Sequence, residues 1–225
     1  MPPDLIQRIE GQFQAKASPT NGYGLTETTS AVIVNSGQEY FQHPDSVGRP
    51  VATAEVEIAD EQGRFLADNE IGELWVRGPN VVRGYWGNPE ATEAAFGGGW
   101  FRTGDLGYRD SDGFYYVVDR KKDVIIRGGE NVYCAEVEAQ ILIHPMVRDV
   151  AVIGLPDPVY GERVAAVVQI DELSAAEELR SALMEMLAER LARFKVPTVY
   201  HFMNAELPRT ATGKVLKREL RAVFE

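Results

Sequence analysis

Hydrophobic and polar positions change rhythm twice along the chain. Near the start, Leu5, Ile6, Ile9 and Phe13 recur at helical spacing after Pro2 and Pro3, which predicts one amphipathic helix. From about residue 47 to 118 the apolar residues alternate in short runs, VATAEVEIA and GELWVRG among them, broken by Asp-Glu-Gln-Gly, Gly-Pro-Asn and Gly-Gly-Gly. Such alternation between turn signals predicts a small β-barrel or meander. Beyond Asp119 strand and helix patterns take turns: DVIIRG, a helix over AEVEAQILIHP, strands over VRDVAVIGL and RVAAVVQI, then a long helix over AAEELRSALMEMLAERLARF. That order predicts an α+β sandwich. Asp119 to Lys122 is charged between two apolar strands and marks the expected boundary, dividing residues 1–119 from 120–225.

Composition narrows the function classes. The 225 residues suffice for one large or two modest domains, and 44% hydrophobic with 25% charged residues reads as a soluble globular chain. A net charge of -11 argues against a nucleic-acid partner, which needs Lys and Arg gathered on one face. No apolar run approaches the roughly 20 residues of a membrane span, and the start is too polar for a signal peptide, so a cytoplasmic protein is expected. Cys134, the only cysteine, has no internal disulfide partner and no nearby His in sequence, and reads as a spectator thiol. His43, His144 and His201 are isolated, which leaves a zinc site without support.

Four loops carry candidate chemistry. In NGYGLTE, at 21 to 27, glycines flank Tyr23 and free its ring to cover a flat ligand, although a plain turn is the competing reading. In FRTGD, at 101 to 105, Gly104 suits a tight turn that aims the Asp105 carboxylate outward, either to accept two vicinal hydroxyls or only to close the turn. DRKKDVIIRGGEN, at 119 to 131, holds Arg120, Lys122 and the pair Gly128 and Gly129, readable as solvated charges and a β-turn or as ligand contacts. LPRTATGK, at 207 to 214, ends on Lys214 ahead of an expected amphipathic helix carrying Val215, Leu216, Leu220 and Val223. It is no Walker loop, because Pro208 stands where that motif needs Gly.

Taken in order, the four loops resemble the adenylate-forming superfamily of acyl-CoA synthetases, luciferases and peptide-synthetase adenylation domains, and its fatty acyl-CoA ligase branch most. The resemblance covers nearly the whole chain. It implies the end of a large AMP-binding domain, a helix-strand piece plus a small β-barrel, followed by a small mobile α+β domain. It further implies ATP, Mg2+ and coenzyme A as ligands. By that resemblance Tyr23 stacks on adenine beside Gly24, Thr26 contacts the α-phosphate, Glu27 holds magnesium, and Asp105 and Arg120 bind ribose. Lys122 takes the hinge position, the pantetheine arm of coenzyme A passes Gly128 and Gly129, and Lys214 bridges the acid's carboxylate and the α-phosphate. Glu73 and Tyr85 match a motif of structural character. The expected reaction is activation of a carboxylic acid, fatty by the likeness of GGENVY and AEVEAQ, with aryl acids as the nearest alternative.

One family feature is missing. No Ser/Thr/Gly-rich phosphate loop ending in Pro-Lys lies between Met1 and Asn21. The chain therefore reads as the C-terminal part of a longer enzyme, expected to bind poorly or be inactive alone and to self-associate through exposed apolar surface. A nucleotide- or partner-binding module without catalysis is the rival from another class.

Overall fold

A computed structural model describes residues 19–224, so the helix expected over Leu5 to Phe13 lies outside the described residues. The chain divides into two compact units between Lys121 and Lys122.

In the first unit, β1 (Thr20–Gly24), β2 (Ala31–Ser36) and β3 (Arg49–Pro50) form an antiparallel sheet in that order, with helix α1 (Gln38–Gln42) after β2. Strands β4 (Glu55–Ala59), β5 (Gly72–Arg77), β6 (Phe101–Arg109) and β7 (Tyr115–Arg120) form an antiparallel meander, which is how the region expected as a small barrel is built. The alternation read from the sequence sets its faces: Val56, Ile58, Leu74, Val76, Phe101 and Tyr115 point into one core, joined there by Val32 and Ile33 of β2. Tyr115 N donates to Gly48 O at 2.8 Å, and this bridge ties the two sheets together at β7. Helix α2 (Pro89–Phe96) has no counterpart in the expectations. Its start is nonetheless written in Asn-Pro-Glu: Asn88 Oδ1 accepts from Ala91 N at 3.0 Å, and Pro89 occupies the first turn where a missing N–H costs nothing.

The second unit is a five-stranded sheet with helices. It comprises β8 (Ile125–Arg127), β9 (Glu130–Val132), α3 (Cys134–Ile141), β10 (Asp149–Asp157), β11 (Gly161–Gln169), α4 (Ala176–Arg190), β12 (Val199–Met203) and α5 (Lys217–Leu220). Strand β11 is the spine, antiparallel to β10 and β8 and parallel to β12. Both of its faces are covered, which explains why β10 and β11 read as continuous apolar runs rather than alternating ones. Val150, Val152, Val164 and Val168 meet Leu179, Leu183 and Leu187 of α4, while Ala151, Ile153, Ala165 and Val167 pack on Leu207 and Leu220. The three α4 leucines repeat every fourth residue on one helix face, and each contributes about 1.5–3 kcal/mol by burial.

The end of the chain differs from expectation. Val215 and Leu216 precede the helix instead of belonging to it, because Val215 is bridged to Arg209 across a turn and Leu216 N donates to Pro208 O.

Candidate functional site

The first unit gathers Tyr23, Asp105 and Arg120. FRTGD is not a turn, as its glycine suggested, but part of strand β6. Pairing jumps from Trp75↔Arg102 to Glu73↔Leu106, so three residues of β6 face Leu74 and the strand bulges. Gly104 takes φ 72° at that bulge, a left-handed conformation that suits glycine. Three bonds fix it. Thr103 Oγ1 donates to Leu74 O at 2.8 Å, Asp105 N donates to Thr103 Oγ1 at 3.0 Å, and Gly104 N donates to Glu73 Oε1 at 2.9 Å.

The bulge turns the Asp105 carboxylate inward instead of outward, leaving the residue 5% exposed. Tyr23 Oη donates to Oδ2 at 2.7 Å. Arg120, opposite Asp105 in the β6–β7 ladder, brings Nε to 2.7 Å from Oδ1 as an ion pair. Among the described residues no donor is aligned on Oδ1 in hydrogen-bond geometry. A buried carboxylate oxygen with capacity to spare is suited to a ligand hydroxyl. Burial, with the Asp105 charge adding to it, pushes the Tyr23 hydroxyl far above the usual tyrosine range, so it stays a donor.

Thr26 and Glu27 sit on a single 3-10 turn, Thr26–Thr28, directly after β1. The pairing shifts between Tyr23 and Gly24, and a Cβ on Gly24 would lie 2.3 Å from Ser30 O, so only glycine lets the chain enter this turn. Asn80 Nδ2 donates to Thr28 O at 2.9 Å and Thr29 Oγ1 to Asn80 O at 2.7 Å. Tyr85 Oη donates to Glu27 Oε1 at 2.9 Å, and burial raises that hydroxyl's pKa. Thr26 is exposed. Asn80 and Thr103 escaped the sequence reading, while Glu73 and Tyr85 drew attention only as motif positions. The signal available for all four was closeness to GELWVRGPN, VVRGYW and FRTGD.

Among the described residues no group of three or more His, Cys, Asp or Glu could hold a metal ion. A magnesium at Glu27 would thus draw its remaining ligands from water and phosphate oxygens, the usual arrangement for that ion.

The remaining candidates lie in the second unit. Lys122 is exposed in the 3-10 turn Lys121–Asp123. Gly128 and Gly129 form the two-residue loop of the β8–β9 hairpin, with φ 61° and 88°. Both signs being positive, the loop has the primed geometry that two-residue hairpins favour. Beside it runs a groove of about 1030 Å³ lined by Arg127, Gly128, Tyr160, Met184, Arg193 and Phe194. Arg127 lies 5.4 Å over the Tyr160 ring and donates to Phe194 O at 2.9 Å. Tyr160 is itself held by its N–H donating to Asp157 Oδ1 at 2.9 Å. Lys214 is exposed at the end of a turn in which Thr210 N donates to Lys214 O at 2.8 Å. Among the described residues no helix is long and apolar enough to cross a membrane.

Known proteins resemble this chain in sequence and fold. Residues 1–86 match the family model described as AMP-binding enzyme, and residues 136–214 the model described as AMP-binding enzyme C-terminal domain. A 2-succinylbenzoate–CoA ligase of Geobacillus kaustophilus (strain HTA426) is 46% identical over 202 residues, 90% of this chain and 40% of the relative. A feruloyl-CoA synthase of Amycolatopsis sp is 43% identical over 224 residues, 100% of this chain and 44% of the relative. A long-chain-fatty-acid–CoA ligase of Bacillus subtilis (strain 168) is 40% identical over 98% of this chain and 38% of its own length. The solved o-succinylbenzoate CoA synthetase of Bacillus subtilis in complex with its acyl-adenylate intermediate superposes with a TM-score of 0.88 at 36% identity, covering 98% of this chain and 44% of that one. The same enzyme with ATP and magnesium ion gives 0.87. This chain spans about two-fifths of the length of the curated relatives it matches.

Proposed function

This chain belongs to the adenylate-forming superfamily, and on that premise we propose that it serves an acid–CoA ligase. In the first half-reaction an oxygen of the acid's carboxylate attacks the α-phosphorus of ATP, and pyrophosphate leaves. In the second the thiol of coenzyme A attacks the acyl carbon, losing its proton, and AMP leaves.

The observation that carries the reading is Asp105, a buried carboxylate that accepts from Tyr23 and is paired with Arg120. Its Oδ1 has no aligned hydrogen-bond donor among the described residues and would accept from a ligand hydroxyl once the 42% exposed Arg120 side chain moves off it. A ribose presents two such hydroxyls side by side. Tyr23 keeps its ring beside that carboxylate for the base, and Arg120 supplies positive charge. Glu27 would hold the magnesium, which neutralises charge on the phosphates as they separate. Thr26, exposed on the same turn, offers its hydroxyl to the α-phosphate.

From the second unit, Lys214 supplies a mobile ammonium for the charge that builds between carboxylate and α-phosphate. Lys122, the first residue of that unit, is the proposed pivot between half-reactions. Gly128 and Gly129 leave room for the pantetheine arm, since a Cβ at Gly129 would meet nothing within 4 Å. The adjoining groove, with Arg127, Arg193 and the half-exposed Tyr160, suits the phosphorylated adenosine of coenzyme A.

The acid is the finer question. GGENVY and AEVEAQ favour a fatty acid, while relatives acting on 2-succinylbenzoate and named for feruloyl-CoA support an aryl acid at least as well. The test is mass-spectrometric detection of acyl-adenylate and acyl-CoA from this chain with ATP, magnesium and coenzyme A, offered aryl acids and fatty acids of graded length beside a Lys214→Ala control. Lysine-dependent product supports the reading and identifies the acid class; product that ignores Lys214 sinks it.

A further inference from the structure

We propose that Arg209 is a positioning residue, a clamp that fixes the turn presenting Lys214 by tying it to the start of strand β10. The proposal rests on the reading of Lys214 as the reaction's mobile cation.

The turn is closed by backbone bonds. Thr210 N donates to Lys214 O at 2.8 Å, Gly213 N to Thr210 O at 2.9 Å, and Leu216 N to Pro208 O at 2.8 Å. Lys214 N in turn donates to Thr210 Oγ1 at 3.1 Å. These bonds shape the turn without anchoring it to the rest of the unit.

Arg209 supplies the anchor. Its Nη1 donates to Gly213 O at 2.5 Å, one residue before the lysine, while its Nη2 pairs with Asp149 Oδ2 at the first residue of β10. Asp149 is fixed as well, because its Oδ1 accepts from Val150 N at 2.9 Å. One planar guanidinium therefore spans the turn and the sheet. A lysine could satisfy one of these acceptors and not both in fixed relation.

Beyond the turn, Lys217 Nζ lies 2.7 Å from Glu138 Oε1, and that oxygen also accepts from Val152 N. The segment is thus pinned on both sides. Lys214 itself makes no ion pair among the described residues and stays exposed.

The Arg209 and Asp149 side chains are 42% and 24% exposed, so their ion pair adds little to global stability. Its effect is geometric. Displacing a catalytic group by about 1 Å can cost roughly 10²-fold in rate, which sets the scale expected for loss of the clamp.

The experiment compares the chain with Arg209→Ala, Arg209→Lys and Asp149→Asn by amide hydrogen exchange and by acyl-adenylate formation, with Lys214→Ala alongside. Exchange at Thr210, Gly213 and Lys214 is expected to quicken about fivefold or more in all three variants, the consequence of one lost hydrogen bond. The β11 amides should stay protected, which certifies the fold. Where the parent chain makes adenylate, kcat should fall at least tenfold with KM for ATP and acid unchanged, and Arg209→Lys should not rescue it. Unchanged exchange at the turn overturns the clamp, as does unaltered kcat in a chain whose activity depends on Lys214. Adenylate formation that persists in Lys214→Ala defeats the functional reading instead, and a parent chain without product leaves the clamp to be decided by exchange.

Discussion

Tyr23 Oη and Asp105 Oδ2, 82 positions apart in the chain, are joined by a hydrogen bond of 2.7 Å. A bond from a neutral donor to a buried carboxylate contributes about 1.5–3 kcal/mol, more than a neutral pair, because the charge has lost its water. Tyr23→Phe keeps the ring and removes the donor. It is expected to lower stability by about that amount in denaturant titration and to weaken AMP binding in calorimetry. A variant as stable as the parent would mean that water replaces the hydroxyl at no cost.

Gly24→Ala should be harsher. The added Cβ would sit 2.3 Å from Ser30 O and 2.7 Å from Ala31 Cα, both backbone, so the turn bearing Glu27 must move. A loss of about 2 kcal/mol or more is expected, in the range of overpacking a tight contact. An alanine variant with parental stability would place slack in this turn.

Gly128 and Gly129 separate backbone strain from contact. Both have positive φ, so alanine costs about 1 kcal/mol at either position. Gly128→Ala also brings a Cβ to 3.3 Å of the Tyr160 ring, whereas Gly129→Ala meets nothing. Thermal denaturation should rank Gly128→Ala below Gly129→Ala. If pantetheine passes this loop, Gly129→Leu slows acyl-CoA formation at least tenfold while adenylate formation holds. Equal slowing of both half-reactions would remove the thiol path from the hairpin.

Alkaline pH offers a test independent of function. Burial, helped by the hydrogen bond to Asp110, pushes Tyr116 up to about 12, and burial pushes Tyr200 up to about 12 against the opposing charge of Arg180. Both sit above the ordinary value of 10.0, so the unfolded chain gives up these protons first. Their contribution is complete below pH about 10 and lost as pH climbs towards about 12. Urea midpoints should therefore fall between about pH 10 and about pH 12, the window between those two values. The Tyr200 hydroxyl is buried with no hydrogen-bond partner among the described residues, so Tyr200→Phe should be neutral or stabilising near pH 7 and should blunt the alkaline fall. A flat profile would show both hydroxyls reaching water.

Long periodic elements were legible because one physical signal dominated each. Helix α4 announces itself through Leu179, Leu183 and Leu187, and β10 and β11 through apolar runs that only a sheet covered on both faces can bury. The site was legible as motifs and not as geometry. Gly104 suggested a tight turn, yet its positive φ serves a turn or a bulge equally, and pairing with β5 decided for the bulge. Glu73 illustrates the limit: its carboxylate holds Gly104 N from the neighbouring strand, a contact set by register and invisible in local spacing. The last helix was overdrawn for a similar reason. Val215 has a helical apolar period but is claimed first by its bridge to Arg209.

Strand β12 reaches β11 only after α4 has been traversed, and a parallel neighbour cannot form by local folding back. The β10–β11 hairpin can close early and cheaply, whereas β12 must wait for a long excursion to be closed against chain entropy. Lys214 lies beyond β12, and its turn is fastened to Asp149, where that early hairpin begins. Fastening the turn that bears the ammonium thus closes a loop of 60 positions, far longer than the β10–β11 hairpin, so a larger entropic cost of ordering stands between Lys214 and its anchor.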